Sequence, residues 1–141
     1  MLSKFTRKDS GFTLIEVLVV VVIVAILAAI SVPIYIEYVK GARANDAQAT
    51  IGAVFNSVKM YRQDRGEDPS SVEELEQLGY LTIDEGTKKQ WEITVIGNPV
   101  QTIEAISTAE MKGGAGHQVQ YDVQTGRFTG YGLPTEEDAG N

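Results

Sequence analysis

The sequence predicts an α+β protein in which one long N-terminal α-helix packs, over its second half, against an antiparallel sheet of about four strands. Three observations predict this. Residues 17–36 form a run without a single charge. Ala44, Ala47, Ile51, Val54, Val58 and Tyr61 follow with helical 3,4 spacing. The last third of the chain alternates apolar and polar residues in short runs separated by Gly, Asn and Pro. At 141 residues there is room for about one domain.

The charges are divided unevenly. The first eleven residues hold Lys4, Arg7 and Lys8 against Asp9, which leaves 9 basic and 18 acidic side chains for the remainder out of totals of 12 and 19. So acidic a body lacks the clustered Lys and Arg that phosphate contacts need, so no direct nucleic-acid binding is predicted. The chain has no cysteine, which excludes a disulfide framework, a thiolate metal site and a Cys nucleophile.

Residues 17–36 are twenty in number, interrupted in their apolar character only by Ser31 and Pro33. As a helix they span roughly 30 Å, the thickness of a bilayer's hydrocarbon core. Much of the run is valine, which in water favours a strand. In lipid a lone segment must satisfy its own backbone, so helix wins. Lys4, Arg7 and Lys8 favour a cytoplasmic N-terminus, an asymmetry that Lys40 and Arg43 beyond the run weaken.

Glu16 opens this run, and a carboxylate within a membrane costs about 2.5–3.5 kcal/mol at a helix centre and less near an end. It needs a partner. A cut after Gly11 would supply one by freeing an amine on Phe12, four residues and one helical turn away. Two other readings stay open on the residues alone. A secretory signal peptide could be cleaved after Ala29-Ile30-Ser31, although its apolar region would be long and would contain Glu16. A plain uncleaved anchor would make Gly11 and Glu16 accidental.

Pro33 cannot donate to the carbonyl of Ala29 and crowds that turn, which predicts a kink or a loosened helix. Past the bilayer length, the stripe from Ala44 to Tyr61 predicts an amphipathic continuation over residues 37–65, ended by Gly66 with Pro69 just beyond. The whole helix would be roughly 80 Å long at 1.5 Å per residue. Ser70 and Ser71 each stand three residues before a Glu, a capping-box signature for a short helix near residues 71–78. Trp91, Ile93 and Val95 alternate with polar residues over 91–96. Gly97, Asn98 and Pro99 make a turn, and residues 100–107 form a second strand with Ile103 and Ala105 on one face. A glycine-containing loop over 111–117, a strand around Val119, Tyr121 and Val123, a turn at 124–126 and a returning strand at 127–131 complete the sheet. Residues 66–133 thus make the globular domain, and 134–141 an acidic tail.

The segment from Lys8 through Gly11-Phe12-Thr13-Leu14-Ile15-Glu16 to Val17, followed by the apolar run, resembles the class III leader and helix start of type IV prepilins and type II secretion pseudopilins. The likeness is close through Pro33 and Tyr38 and one of layout beyond. It implies the pilin fold, with a leader at 1–11 and a transmembrane and filament-core segment at 12–36. It further implies that prepilin peptidase cuts between Gly11 and Phe12 and N-methylates Phe12. Glu16 would then pair with the Phe12 amine, its own or a neighbouring subunit's, during assembly. The partners implied are identical subunits in a helical filament, the peptidase, membrane lipid before assembly, and an inner-membrane platform with its ATPase. The subunit would begin in the inner membrane and end in an extracellular pilus or periplasmic pseudopilus. The first functional reading is the major pilin of a type IV pilus, for motility, adhesion or DNA uptake. The alternatives are a type II secretion pseudopilin, disfavoured by the lack of an Asp-Pro-Trp-Gly-like segment, a minor pilin, and outside the family a secreted binding domain. The chain departs from one common pattern, a disulfide-closed C-terminal loop.

Several other signals are discounted. His117, the only histidine, has no companion ligand and reads as a surface loop residue, so no metal is predicted. Gly113, Gly114 and Gly116 mimic a phosphate loop, but no Lys-Ser/Thr follows. Glu136, Glu137 and Asp138 match no EF-hand spacing and read as a solvated tail. Tyr35, Tyr38, Phe55 and Tyr61 read as packing aromatics and not as a conducting stack. No nucleophile has a base in view, so no enzyme and no cofactor are expected.

Overall fold

The computed structural model describes residues 11–134. The leader cations and the acidic side chains Glu136, Glu137 and Asp138 lie outside the described residues. Helix α1 (Leu14–Arg65) is followed by α2 (Val72–Gln77), α3 (Glu85–Gln90), and strands β1 (Trp91–Ile96), β2 (Thr102–Ser107), β3 (Gln118–Asp122) and β4 (Arg127–Gly130). This is a pilin-like α+β architecture. The chain divides into two compact units, one ending at Ile36 and the other starting at Glu37.

In the first unit α1 stands alone, and every residue from 11 to 36 is exposed. Helical assignment continues unbroken through Pro33. The segment is long and apolar enough to cross a membrane.

The second unit is built on the amphipathic part of α1. Ala44, Ala47, Ile51, Val54, Val58 and Tyr61 are all buried, the stripe that the spacing predicts. All of these but Ala44 join Val72 and Leu75 of α2 and the inner face of the sheet, Trp91, Ile93, Ile103, Ala105 and Val119, in one core cluster. Each large apolar side chain removed from water here stabilises the fold by roughly 1.5–3 kcal/mol. Ser57 shares the buried stripe because its hydroxyl donates to the carbonyls of Ala53 (3.0 Å) and Tyr80 (2.9 Å). A hydroxyl so satisfied costs little to bury.

Gly66 ends α1 at φ 76°, a left-handed conformation that L side chains avoid. Ser71 caps α2, its hydroxyl accepting from the Glu74 N–H. The Glu74 carboxylate accepts from the Tyr61 hydroxyl (2.7 Å) and from the N–H and hydroxyl of Ser70 (2.8 Å each). Those donors lower its pKa to about 2. Asp68 ties three segments together. It receives the Arg62 guanidinium, with Nη2 at 2.6 Å, and the Val100 N–H, also at 2.6 Å. The arginine and then the amide hold its pKa below the usual carboxylate value.

The sheet is antiparallel in the order β1-β2-β3-β4, with Ile93 opposite Ala105 and Ala105 opposite Val119. Strand β3 ends at Asp122, short of Val123, and β4 at Gly130, short of residue 131, and two further details differ from the sequence reading. The second strand starts at Thr102, not residue 100, because Val100 gives its N–H to Asp68 while Gln101 donates to Ile96 across the turn. Helix α3 is absent from that reading. It is capped by Asp84, which accepts from Gly86 and Thr87, but has no buried residue and so no apolar period.

Candidate functional site

The residues just before α1 and its first turn carry Gly11, Phe12 and Glu16, three of those that the sequence singles out. Gly11 is exposed and irregular, and a Cβ built on it would meet nothing within 4 Å. The space a side chain would occupy is free, so nothing within the fold demands glycine there. Phe12 is 89% exposed, an unusual state for an aromatic residue. Leu14 then begins the helix.

Glu16 lies in that first turn and is held by Thr13. Its Oε2 accepts from the Thr13 N–H at 2.8 Å and from the Thr13 hydroxyl at 3.0 Å. In return the Glu16 N–H donates to the Thr13 hydroxyl at 3.3 Å. This is a reciprocal capping box, with Thr13 at the N-cap and Glu16 at the third helical position. Two amide donors that would otherwise be orphaned at the helix start are thereby satisfied. The carboxylate also sits where the helix dipole favours negative charge. Thr13 escaped the sequence reading, although the Thr-x-x-Glu spacing was visible at 13–16. In the uncut chain the Phe12 nitrogen is a peptide amide, and Glu16 is brought to Thr13 rather than to Phe12.

From Val17 to Ile36 the helix carries no charge and is interrupted in its apolar character only by Ser31 and Pro33. Leu18, Val21, Ile26, Ile30 and Ile34 are each more than half exposed. A monomer in water would not keep so large a contiguous apolar surface uncovered. Lipid or other apolar helices are the environments that would cover it. Pro33 lies inside this segment, without an N–H for the helix ladder.

Residues 6–32 match the prokaryotic N-terminal methylation motif. The chain is 39% identical over 85 residues to type II secretion system core protein G of Pseudomonas aeruginosa, covering 60% of each protein. It is 41% identical over 75 residues to the protein of the same name from Vibrio cholerae, covering 53% of this chain and 51% of that one. The chain is homologous to pilins and pseudopilins. A third relative, type IV major pilin protein PilA of Myxococcus xanthus, is 35% identical over 59 residues, 42% of this chain and 27% of that protein. The chain thus spans about half to 60% of the length of the core G proteins it matches.

The remaining candidates fall elsewhere. His117 is partly buried and not the plain surface residue expected. Its ring stacks on Tyr131 at 4.2 Å, with Nε2 at 2.9 Å from the Gly113 carbonyl. Ser107 completes that loop by donating to Gly114 and accepting from the His117 N–H. This is a packing role that no sequence spacing announces. Among the described residues, no group of three or more His, Asp or Glu is placed to hold a metal.

Proposed function

We propose that this chain is a structural subunit of a helical filament assembled from the inner membrane, of the type II secretion pseudopilus kind. One observation carries the reading: a methylation motif over residues 6–32 covers most of the charge-free stretch 17–36 of α1, whose whole circumference is exposed. Cleavage between Gly11 and Phe12 by prepilin peptidase, with methylation of Phe12, is the processing step this implies. Exposure of the Gly11–Phe12 bond supports it, since the bond can enter a protease cleft without unfolding anything. Once processed, residues 12–36 would hold the subunit in lipid and then pack with the same segment of other copies. Pro33 would supply a bend or a loosened turn in that core.

The pseudopilus form is favoured by the relatives named core protein G, which cover a larger share of this chain than the pilin does. The type IV pilin reading keeps the support of the Myxococcus relative. In either case the subunit performs no chemistry. Assembly would depend on a membrane platform and its ATPase, and the filament's work on the polymer.

The decisive experiment is the intact mass and N-terminal peptide of the mature protein from its native cell. N-methyl-Phe12 at the terminus is the expected result. A chain starting at Val32 would instead mean a soluble exported domain, and the filament reading would fail. Shearing the cells then separates the two forms: abundant surface filaments at native expression would favour the pilus, their absence the pseudopilus.

A further inference from the structure

Among the described residues of the second unit, positive charge gathers in a cleft without a paired carboxylate. Arg43 of α1, Lys89 of α3 and Lys112 in the loop after β2 line a hollow of about 280 Å³, together with Gly86, Gln90 and Glu110. Other cations of the unit are engaged. Lys40, Arg62 and Lys88 each hold a carboxylate. Lys59 and Arg65 lie over the rings of Phe55 and Tyr61. Among the described residues no carboxylate is paired with Arg43, Lys89 or Lys112. Three cations against the single carboxylate Glu110 thus converge within a strongly acidic protein.

The cleft is also built, because Arg43 is packed in place. A Cβ at position 113 would lie 2.6 Å from Arg43 Nη1 and 3.1 Å from the Tyr131 hydroxyl, so Gly113 leaves the room that the guanidinium occupies. Like charges brought together without a counterion repel, and the repulsion is relieved when an anion enters. A planar guanidinium flanked by two flexible ammonium groups suits a phosphodiester, with Arg giving paired donors and Lys supplying point charge.

Chain position selects the anion. Ile36 is the last residue of the apolar run, and Arg43 follows seven residues later on the same helix. Seven residues of chain keep Arg43 tethered close to any segment that ends in the bilayer at Ile36. We propose that Arg43, Lys89 and Lys112 form a phosphate site for an anionic glycerophospholipid of the membrane that holds residues 12–36. The inference rests on the membrane reading of that segment given above. A zwitterionic headgroup carries its own cation and would be held less well. Net-negative headgroups of the phosphatidylglycerol kind are the ligand class.

The test uses the full chain. Flotation with vesicles of phosphatidylcholine alone examines the apolar segment only; failure to float would overturn the membrane reading whatever the cleft does. The chain is then placed in nanodiscs of phosphatidylcholine with a minor share of phosphatidylglycerol, and retained lipid is counted by native mass spectrometry. Phosphatidylglycerol should be enriched among the retained lipids. Arg43→Gln, Lys89→Gln and Lys112→Gln should each weaken that enrichment about fivefold, the usual effect of one cation near a lipid surface. Lys59→Gln should leave it unchanged, and Trp91 fluorescence should show that every variant is folded. Equal retention of both lipids, or equal loss in the Lys59 control, would overturn the site. If inorganic phosphate displaces the lipid completely, the cleft takes free phosphate and the lipid assignment fails.

Discussion

Replacing Asp68 by alanine should destabilise the globular unit by about 1–4 kcal/mol, and the structure indicates where the cost arises. The Asp68 side chain is 3% exposed, while Arg62 is 46% exposed. Losing the carboxylate lets the guanidinium return to water, so the ion pair itself contributes only about 1 kcal/mol at most. The larger cost falls on the amide of Val100, a residue only 3% exposed, whose N–H has Asp68 as its acceptor. An orphaned buried donor costs about 1–3 kcal/mol. Trp91 is the only tryptophan and is buried, so its fluorescence reports unfolding of this unit during a urea titration of the chain in detergent. The midpoint should fall by roughly 0.5–2 M at a slope of about 2 kcal/mol/M. Asp68→Asn keeps an acceptor for Val100 and should cost about 1 kcal/mol. Equal damage from both substitutions, or a loss below about 0.5 kcal/mol from alanine, would refute the amide argument. The folded pKa of Asp68 is lowered, so its contribution is present above the unfolded carboxylate value and is lost as pH falls through the folded one. Both variants should therefore lose less stability on acidification than the parent.

Glu74→Gln should also blunt acid sensitivity. The stabilisation is fully present above about 4.5 and disappears as pH falls toward about 2, which a pH series of thermal midpoints would show. Gly130→Ala should unfold the β3–β4 end, since Gly130 has φ 113° and a Cβ there would collide with the Gln118 carbonyl; amide exchange across β3 and β4 should accelerate. Ser71→Ala should cost about 1 kcal/mol through loss of the α2 cap, measured by the same urea titration.

Much of the globular unit was legible because its core obeys simple periods. The buried stripe of α1 and the alternation of β1 are visible as spacing alone. What escaped notice are elements held by polar groups. Helix α3 carries Lys88 and Lys89 but buries nothing, so only Asp84 as a capping residue could have revealed it. Asp68 looks like one more acid before a proline, and its ties to Arg62 and Val100 join residues far apart in sequence. At the N-terminus the motif was legible as a string that includes Thr13, but the capping role of Thr13 was not. An amphipathic period cannot flag it, and its role appears only once the helix start is placed between Thr13 and Leu14.

That placement gives Glu16 two competing partners. In the uncut chain Glu16 Oε2 accepts from both the N–H and the hydroxyl of Thr13, so the carboxylate enters an apolar surrounding already hydrogen-bonded. Cleavage after Gly11 would add a cation one residue away from the box, and a charge-assisted bond is roughly twice as strong as a neutral one. Pairing with an amine would then draw Glu16 away from the Thr13 hydroxyl, whereas the helix start would keep its claim through the Thr13 N–H. Glu16→Ala removes both partners, and it should leave processing largely intact while filament yield collapses. Thr13→Val removes only the hydroxyl, and it should reduce yield far less, because the amine can still take the carboxylate. Immunoblots for processing and counts of sheared or overexpressed filaments measure the two effects separately. Normal filament yield from Glu16→Ala would end the pairing argument. A collapse with Thr13→Val as complete as that with Glu16→Ala would mean that the box, and not the amine, is what assembly requires.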